Sequence, residues 1–458
     1  MSILREVLFS PGNITERDRC YDRLEPLRKL NINPIFQAEM PWEVSGIHWG
    51  SVIRSEVDGK FKFFYSTTYP QDLEGETVLI DNSEVGSQQH VCCYAESDDG
   101  VHWHRPVLNL MLQDTFPDNN IIWHWPGYFN DSLSVIEDMI DPDPRRRYKM
   151  LIYHHDNDDP DLCGGFPHVS PDGREWTRLA TVLPTQDAEC LWQDRTTGRY
   201  YAFLKDRAGR NRSRMLSTSD DFEQWSEPQW IITPDHGDNQ GTNFYNQTAF
   251  RMAGRALGFL NVYDVTTQTS WVELVESGDT LSWRRMPSRS PILQPSGPES
   301  LDGGGAYVGL NEPILQSSGS GDEYWYYYYA SPQRHSESSA AGNLKPTLCV
   351  AAFTKNRLVG QQTEGEGMFS TLPFRCPGGT LRLNFAATEP VTVALKRAGY
   401  GGEFSGFGRE NCVPISGDHQ SGAITWTSGR SPADLQGQFI RIAVHGKNAV
   451  VYSAAFVD

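Results

Sequence analysis

The chain has 458 residues, 38% of them hydrophobic, and a formal net charge of −18. A field of that sign repels nucleic acid and anionic membrane surfaces, while a neutral substrate such as a sugar is compatible with it. The 13 Trp, 19 Tyr and 21 Phe, set among 41 Gly and 28 Pro, point to an all-β globular chain with many turns and length enough for two or three domains.

Residues 1–33 show no obvious partner and read as an N-terminal extension that wraps the outside. The opening MSILREVLF lacks a basic segment followed by an apolar one, and no run of about 20 apolar residues follows. The expected location is therefore cytoplasmic, or secreted if a leader has been removed. The eight cysteines form no CxxC pair, in keeping with reduced thiols.

From 34 to 356 a repeat runs through the chain. Five aromatic strands each follow a turn-forming or charged pair: GKFKFFYST (59–67), RRYKMLIYHH (146–155), GRYYAFLKD (198–206), GRALGFLNVYD (254–264) and DEYWYYYYAS (322–331). Each is preceded by a shorter strand: GSVIRSEV (50–57), DSLSVIED (131–138), AECLWQD (188–194), QTAFRM (247–252) and NEPILQ (311–316). An acidic turn ending in Trp recurs in phase, in ESDDGVHW (96–103), SPDGREW (170–176), STSDDFEQW (217–225) and VESGDTLSW (275–283). Repeats of roughly 50 to 90 residues fit four-stranded blades with insertions, so the expected fold is a five-bladed β-propeller over 34–356. A generic array of β-sandwiches is the alternative. Residues 334–345 read as a mobile loop of the fifth blade. Residues 357–369 read as a linker, and 370–458 as an antiparallel β-sandwich with short alternating strands.

In a propeller the polar residues that start the inner strands converge on one channel mouth. Those positions hold Glu43 and His48 in the first repeat, Asn130 and Asp131 in the second, Glu189 in the third, Asn246 and Gln247 in the fourth, and Asn311 and Glu312 in the fifth. A pair of carboxylates, one protonated and one ionised, is what glycoside hydrolysis needs. Mutual repulsion and burial raise the pKa of one member. Trp42, Trp49, Trp125 and Trp192 stand near the same mouth as stacking platforms for sugar rings, or as packing between blades. Metal chemistry is not expected: His102/His104 and His154/His155 lack a third ligand, and DNDDPD (156–161) reads as a solvated loop. No cofactor is implied.

Glu189–Cys190 together with the tail GGTLRLNF … FSGFGRENCVPISGD … ITWTSG … VVYSAAF resembles the five-bladed β-fructosidases (invertases, levanases, inulinases), with the arabinanase/β-xylosidase family as relatives. The resemblance implies a furanoside or fructan substrate, Glu189 as general acid/base and Asp131 as stabiliser of the transition state. That family's Asn-Asp-Pro-Asn-Gly nucleophile motif is missing: the aligned stretch is SGIHWGSVIR, and the nearest carboxylate is Glu43, with Glu39 a second choice. Two other readings stay open. One is a carbohydrate-binding propeller without catalysis. The other is a phosphorylase or transglycosidase using Lys205, Arg207, Arg210 and Arg212 as phosphate ligands. The expected partner is an oligo- or polysaccharide, and the chain could also self-associate.

Overall fold

A computed structural model describes residues 5–70, 78–80, 83–85, 88–125, 129–155, 162–318, 321–335, 345–399 and 401–458, with the side chains of 70, 78–80, 83–85, 88–89, 129–131 and 318 left out of the description. Among these residues there is no α-helix; strands and short 3₁₀ turns carry the chain. The loop expected at 334–345 and the acidic run 156–161 fall largely or wholly outside the described residues.

Three four-stranded antiparallel sheets come first. One is His48–Arg54, Phe61–Pro70, Gln88–Ser97 and Ile121–His124. The next is Phe129–Glu137, Tyr148–His155, Gly164–Ser170 and Thr177–Arg178. The third is Gln186–Gln193, Tyr200–Ala208, Asn211–Ser219 and Gln229–Ile232. A larger sheet follows. Thr242–Gln247, Arg255–Asp264 and Thr269–Ser277 make its fourth-repeat part. Gly305–Val308, Gly321–Ser331 and Thr347–Thr354 make its fifth-repeat part, and a single parallel bridge, Ser270 to Gly305, joins the two. The five aromatic segments of the sequence are the second strands of these groups. They have a neighbour on each side and both faces covered, which is why they read as unbroken apolar runs rather than alternating ones.

The recurrent acidic turn has one geometry in all four copies. Ser97, Ser170, Ser219 and Ser277 each donate to the carboxylate two residues on, at 3.0, 3.1, 3.1 and 3.0 Å. That carboxylate caps the two following backbone N–H groups, as Asp172 does for Arg174 and Glu175. The residue after it has positive φ in every copy: Gly100, Gly173, Phe222 and Thr280. The turn throws its Trp back onto the preceding repeat: Trp176 meets Phe64, Trp283 meets Phe203, and Trp103 meets Tyr327 of the fifth repeat. The first strands are also stitched to one another. Ser51 Oγ accepts from Val135 N at 2.9 Å and donates to Leu310 O, and Leu310 N donates to Gly50 O. Ser134 Oγ accepts from Leu191 N, and Arg214 donates to Tyr245 O.

Two boundaries differ from the sequence reading. Residues 357–369 are no linker: Val359–Thr371 is a thirteen-residue strand at the heart of the C-terminal sheet. Residues 1–33 do not simply wrap the outside. Ile14–Leu24 pairs along Val359–Thr371, Glu6–Leu8 pairs with Val450–Val457, and Arg28–Lys29 adds an outer strand to Thr347–Thr354. These partners lie more than 300 residues away, so no local pattern announces them. The C-terminal part is one eight-stranded sheet. Its long strand Thr380–Arg397 pairs with Val450–Val457 through its first half and with Phe439–Lys447 through its second. Buried Glu276 ties this part to the fourth repeat, accepting from Ser10 Oγ at 2.6 Å, Gly12 N, Arg255 and Arg284.

Candidate active site

The first strands of four repeats slip register near their upper ends: between His48 and Gly50, Asp131 and Ser134, Gln186 and Cys190, and Phe244 and Asn246. Bulges of this kind re-aim side chains and cluster beside active sites. Two of them hold a non-glycine residue in the left-handed region, Ser132 at φ 59° and Ala188 at φ 66°, each costing about 1–3 kcal/mol. The two strained residues touch, Ala188 N donating to Ser132 Oγ at 2.8 Å. Glu189 follows at once and is wholly buried.

Above this level lies an aromatic and charged mouth. Trp49 packs against Ala188, Tyr245 and Tyr263. It stacks on Tyr245 (5.7 Å between centroids, 8° between planes) and meets Tyr307 edge-on at 5.6 Å. Lys205, almost fully buried, pairs with Asp187 and lies 4.4 Å from the Tyr245 ring centroid. Burial opposes ionisation of Asp187, but Lys205 and then Arg212 outweigh it, and the carboxyl sits below its ordinary range. His335 shares a hydrogen bond with the Tyr245 hydroxyl at 3.0 Å. Burial, assisted by Arg212, pushes its pKa down to about 4, so the ring is neutral at neutral pH. Arg214, wholly buried, donates to the carbonyls of Tyr245, Ala188 and Phe203 at 2.9, 3.1 and 2.9 Å. Burial lowers its pKa to about 9, and the nearby Cys190, Glu189 and Asp187 oppose that shift.

On the first strand of the fourth repeat, which Arg214 ties to the Ala188 bulge by donating to both Tyr245 O and Ala188 O, stand two buried amides. Asn246 accepts from Gln247 N at 2.6 Å. Asn246 Nδ2 and both polar ends of Gln247 have no hydrogen-bond partner among the described residues. An unmet buried polar group costs about 1–3 kcal/mol, and three such atoms at one level fit a site built to receive hydroxyls.

No family model matches this chain. No curated protein matches it either. Solved structures similar to it include an N-acetylgalactosamine deacetylase from F. plautii in complex with blood group B trisaccharide (13% identity, TM-score 0.48, 77% of this chain and 96% of that one). A glycosyl hydrolase from Bacteroides ovatus aligns at 14% identity and TM-score 0.48 over 76% of this chain and 98% of its own. A structure described under the GH130 family of mannoside phosphorylases, which contains glycoside hydrolases that target beta-1,2 mannosidic linkages in Candida mannan, aligns at 13% identity and TM-score 0.47 over 72% and 94%. Likeness at these values carries no weight for the chemistry, which rests on the side chains themselves.

The expected site residues separate into groups. Trp49 belongs to the upper mouth, and Glu189, Asn246 and Gln247 are buried at the bulged ends of the first strands beneath it. Asn130 and Asp131 occupy the bulged strand opposite His154 and Tyr153, and their side chains lie outside the description. His48 is half-buried at the first bulge, its Nε2 2.9 Å from Ser45 O, and burial lowers its pKa.

Glu43 has a different task. It is wholly buried, and its carboxylate accepts from Tyr65 Oη (2.6 Å), Arg105 Nε (2.9 Å) and Nη2 (3.0 Å), Glu39 N (2.8 Å) and Met40 N (3.0 Å). Five donors leave no lone pair for a substrate, so the expected nucleophile is a structural anchor. Trp42 belongs with it, donating to Asn120 and packing on Phe116. Trp192 is core, 2% exposed and tilted against Tyr201 with ring centroids 4.9 Å apart. Trp125 stacks on His154 at 4.1 Å, with Arg178 over its outer face.

Asn311 and Glu312 lie in a separate cavity, away from this mouth. The fifth inner strand is broken into Gly305–Val308 and Ile314–Ser318, and only the first half reaches the upper mouth. Asn311 and Glu312 instead line a cavity of about 750 Å³ with Val52, Val135, Cys190 and Leu191. Asp187 escaped the sequence reading as a site residue, although it stands two positions before Glu189. Lys205 and Arg212 were singled out there only as phosphate ligands.

Proposed function

We propose that this chain is a five-bladed β-propeller glycoside hydrolase acting in the mouth above Glu189. The observation that carries the reading is a buried carboxylate, set on a strained bulge, beside amides with unmet hydrogen-bonding capacity and below an aromatic wall. Ring closure is supported by contacts that run from each repeat to the next and from the fifth back to the first, through Leu310–Gly50 and Trp103–Tyr327.

In this mechanism Glu189, protonated, donates to the leaving glycosidic oxygen. Arg214, close enough to favour charge on Glu189, stabilises the carboxylate that forms as the proton departs. Asp131 stabilises positive charge at the sugar. Asp187, kept ionised by Lys205, replaces Glu43 as the second carboxylate and acts as nucleophile or as base on water. Trp49 and Tyr245 offer their faces to the sugar, and Asn246 and Gln247 take hydroxyls. The furanosidic assignment, fructose- or arabinose-type, rests on the Glu189–Cys190 pair.

The test is hydrolysis of a panel of aryl furanosides and fructans by the wild-type protein and by Glu189→Gln. Turnover that disappears in the variant supports the reading, and undiminished turnover ends it. The saturated state of Glu43 favours a second reading, a propeller that binds glycans without cleaving them. Binding by the wild-type protein with no product across the whole panel would select it.

A further inference from the structure

We propose that Arg212 makes the upper mouth a receptor for an oxyanion, carried on the glycan as a uronic carboxylate or supplied as free phosphate. This rests on the reading of the mouth as a glycan site. Among the cations there, Lys205 is taken by Asp187, and Arg214 by three backbone carbonyls. Among the described residues no carboxylate is bonded to Arg212. Its guanidinium lies over the Tyr245 ring at 5.2 Å, it forms no ion pair with a described carboxylate, and its Nε is buried without a hydrogen-bond partner.

The position of Arg212 is fixed. Its backbone N donates to Asn243 Oδ1 at 2.7 Å, and it pairs in register with Arg207 across the hairpin. Its charge is felt by Asp187, Lys205, Tyr263 and His335, which places it among the polar groups of the mouth. With Glu189 protonated, as the mechanism requires, Asp187 stands against Lys205, Arg212 and Arg214 among these side chains, and neutral His335 adds nothing. Cations therefore outnumber carboxylates there, in a chain whose net charge is −18. A planar guanidinium resting on an aromatic face, with its donors unspent, is suited to bidentate contact with a carboxylate or phosphate.

The experiment is titration calorimetry at low salt with methyl glucuronide, its neutral counterpart methyl glucoside, and inorganic phosphate. The proteins are the wild type, Arg212→Gln, Arg212→Lys, and Arg210→Gln at the exposed hairpin tip as control. The glucuronide is expected to bind about tenfold more tightly than the glucoside. Arg212→Gln should erase that preference, Arg212→Lys should keep part of it, and Arg210→Gln all of it. Saturable phosphate binding that competes with the glucuronide and vanishes in Arg212→Gln identifies the free anion as a ligand of the same group. No saturable phosphate binding, with the glucuronide preference intact, assigns the anion to the sugar. Equal binding of the two glycosides without any phosphate binding overturns the proposal, as does wild-type anion binding in both Arg212 variants. Glu189→Gln should bind the glucuronide as the wild type does, so failure of the hydrolytic reading and failure of this one are told apart.

Discussion

Glu43 and Glu189 are both wholly buried glutamates on the inner side of the repeat, yet their surroundings differ in kind. Around Glu43 everything is matched: two backbone amides, a tyrosine hydroxyl and a bidentate arginine meet one carboxylate. Around Glu189 the chain departs from its comfortable state. Its neighbour Ala188 has positive φ, the strand is bulged, and the amides of Asn246 and Gln247 are unmet. Burial of a carboxylate therefore does not identify a catalytic group; the state of its neighbours does. Where partners are complete the residue stabilises the fold, and where strain and unmet donors collect, stability has been given up, which is the state the proposed catalytic role of Glu189 requires.

Substitution at the two positions breaks or sharpens this contrast. Glu189→Gln keeps the shape and removes the proton. It should lower kcat on the true substrate about 10²- to 10⁴-fold and move the urea midpoint little, as steady-state rates and urea unfolding will report together. Glu43→Ala should do the reverse. It strands Arg105, only 9% exposed, with its buried partner gone, and the stability cost is about 3–5 kcal/mol, visible as a lower midpoint at unchanged slope. Equal stability losses in the two variants would abolish the distinction. Asp187→Asn tests the reassigned second carboxylate: activity should fall at least as far as about 10²-fold, whereas a purely structural pair with Lys205 would show mainly a stability change. A smaller effect is expected at the repeated turn. Asp279→Ala removes the acceptor for Leu281 N and Ser282 N and should cost about 1–2 kcal/mol without touching activity.

What the sequence made legible follows the range of the interactions involved. The five aromatic strands and the four acidic turns were readable because each is set by residues a few positions apart. Asp172 meets Arg174 and Glu175, and Tyr148–His155 carries its apolar run within itself. The N-terminal strands were not readable, because Ile14 needs Thr371 and Lys29 needs Ala351. The role of Glu43 was missed for the same reason: the arginine that occupies it lies 62 residues downstream. Glu189 was legible because it heads the third short strand and is followed directly by Cys190, both local features. The bulges that aim it are invisible in any spacing, because a register slip is a property of two strands. Asn311 and Glu312 line the lower cavity rather than the mouth, and nothing in VGLNEPIL shows the strand breaking after Val308.

The lower cavity supplies the remaining test of the contrast, through pH. Glu312 is half-buried there, and burial raises its pKa from 4.5 to about 7, against Arg195 and the Trp192 indole, which pull it down. A carboxyl whose folded-state pKa lies above its unfolded value binds its proton more tightly when folded. Its contribution to stability is complete below about pH 4.5 and is lost as pH rises through 7. Replacement by Gln keeps the hydrogen-bonding shape of the protonated acid and cannot ionise. Glu312→Gln should therefore match the wild type near pH 4 and exceed it in stability above pH 7. A carboxyl raised to about 7 corresponds to about 3 kcal/mol, which the partial exposure of Glu312 reduces to about 1–2 kcal/mol. Urea unfolding at pH 4, 6 and 8 reads the difference. A gap that is constant with pH would mean that Glu312 is as well matched as Glu43, and the lower cavity would then belong with the structural half of the comparison rather than with the strained one.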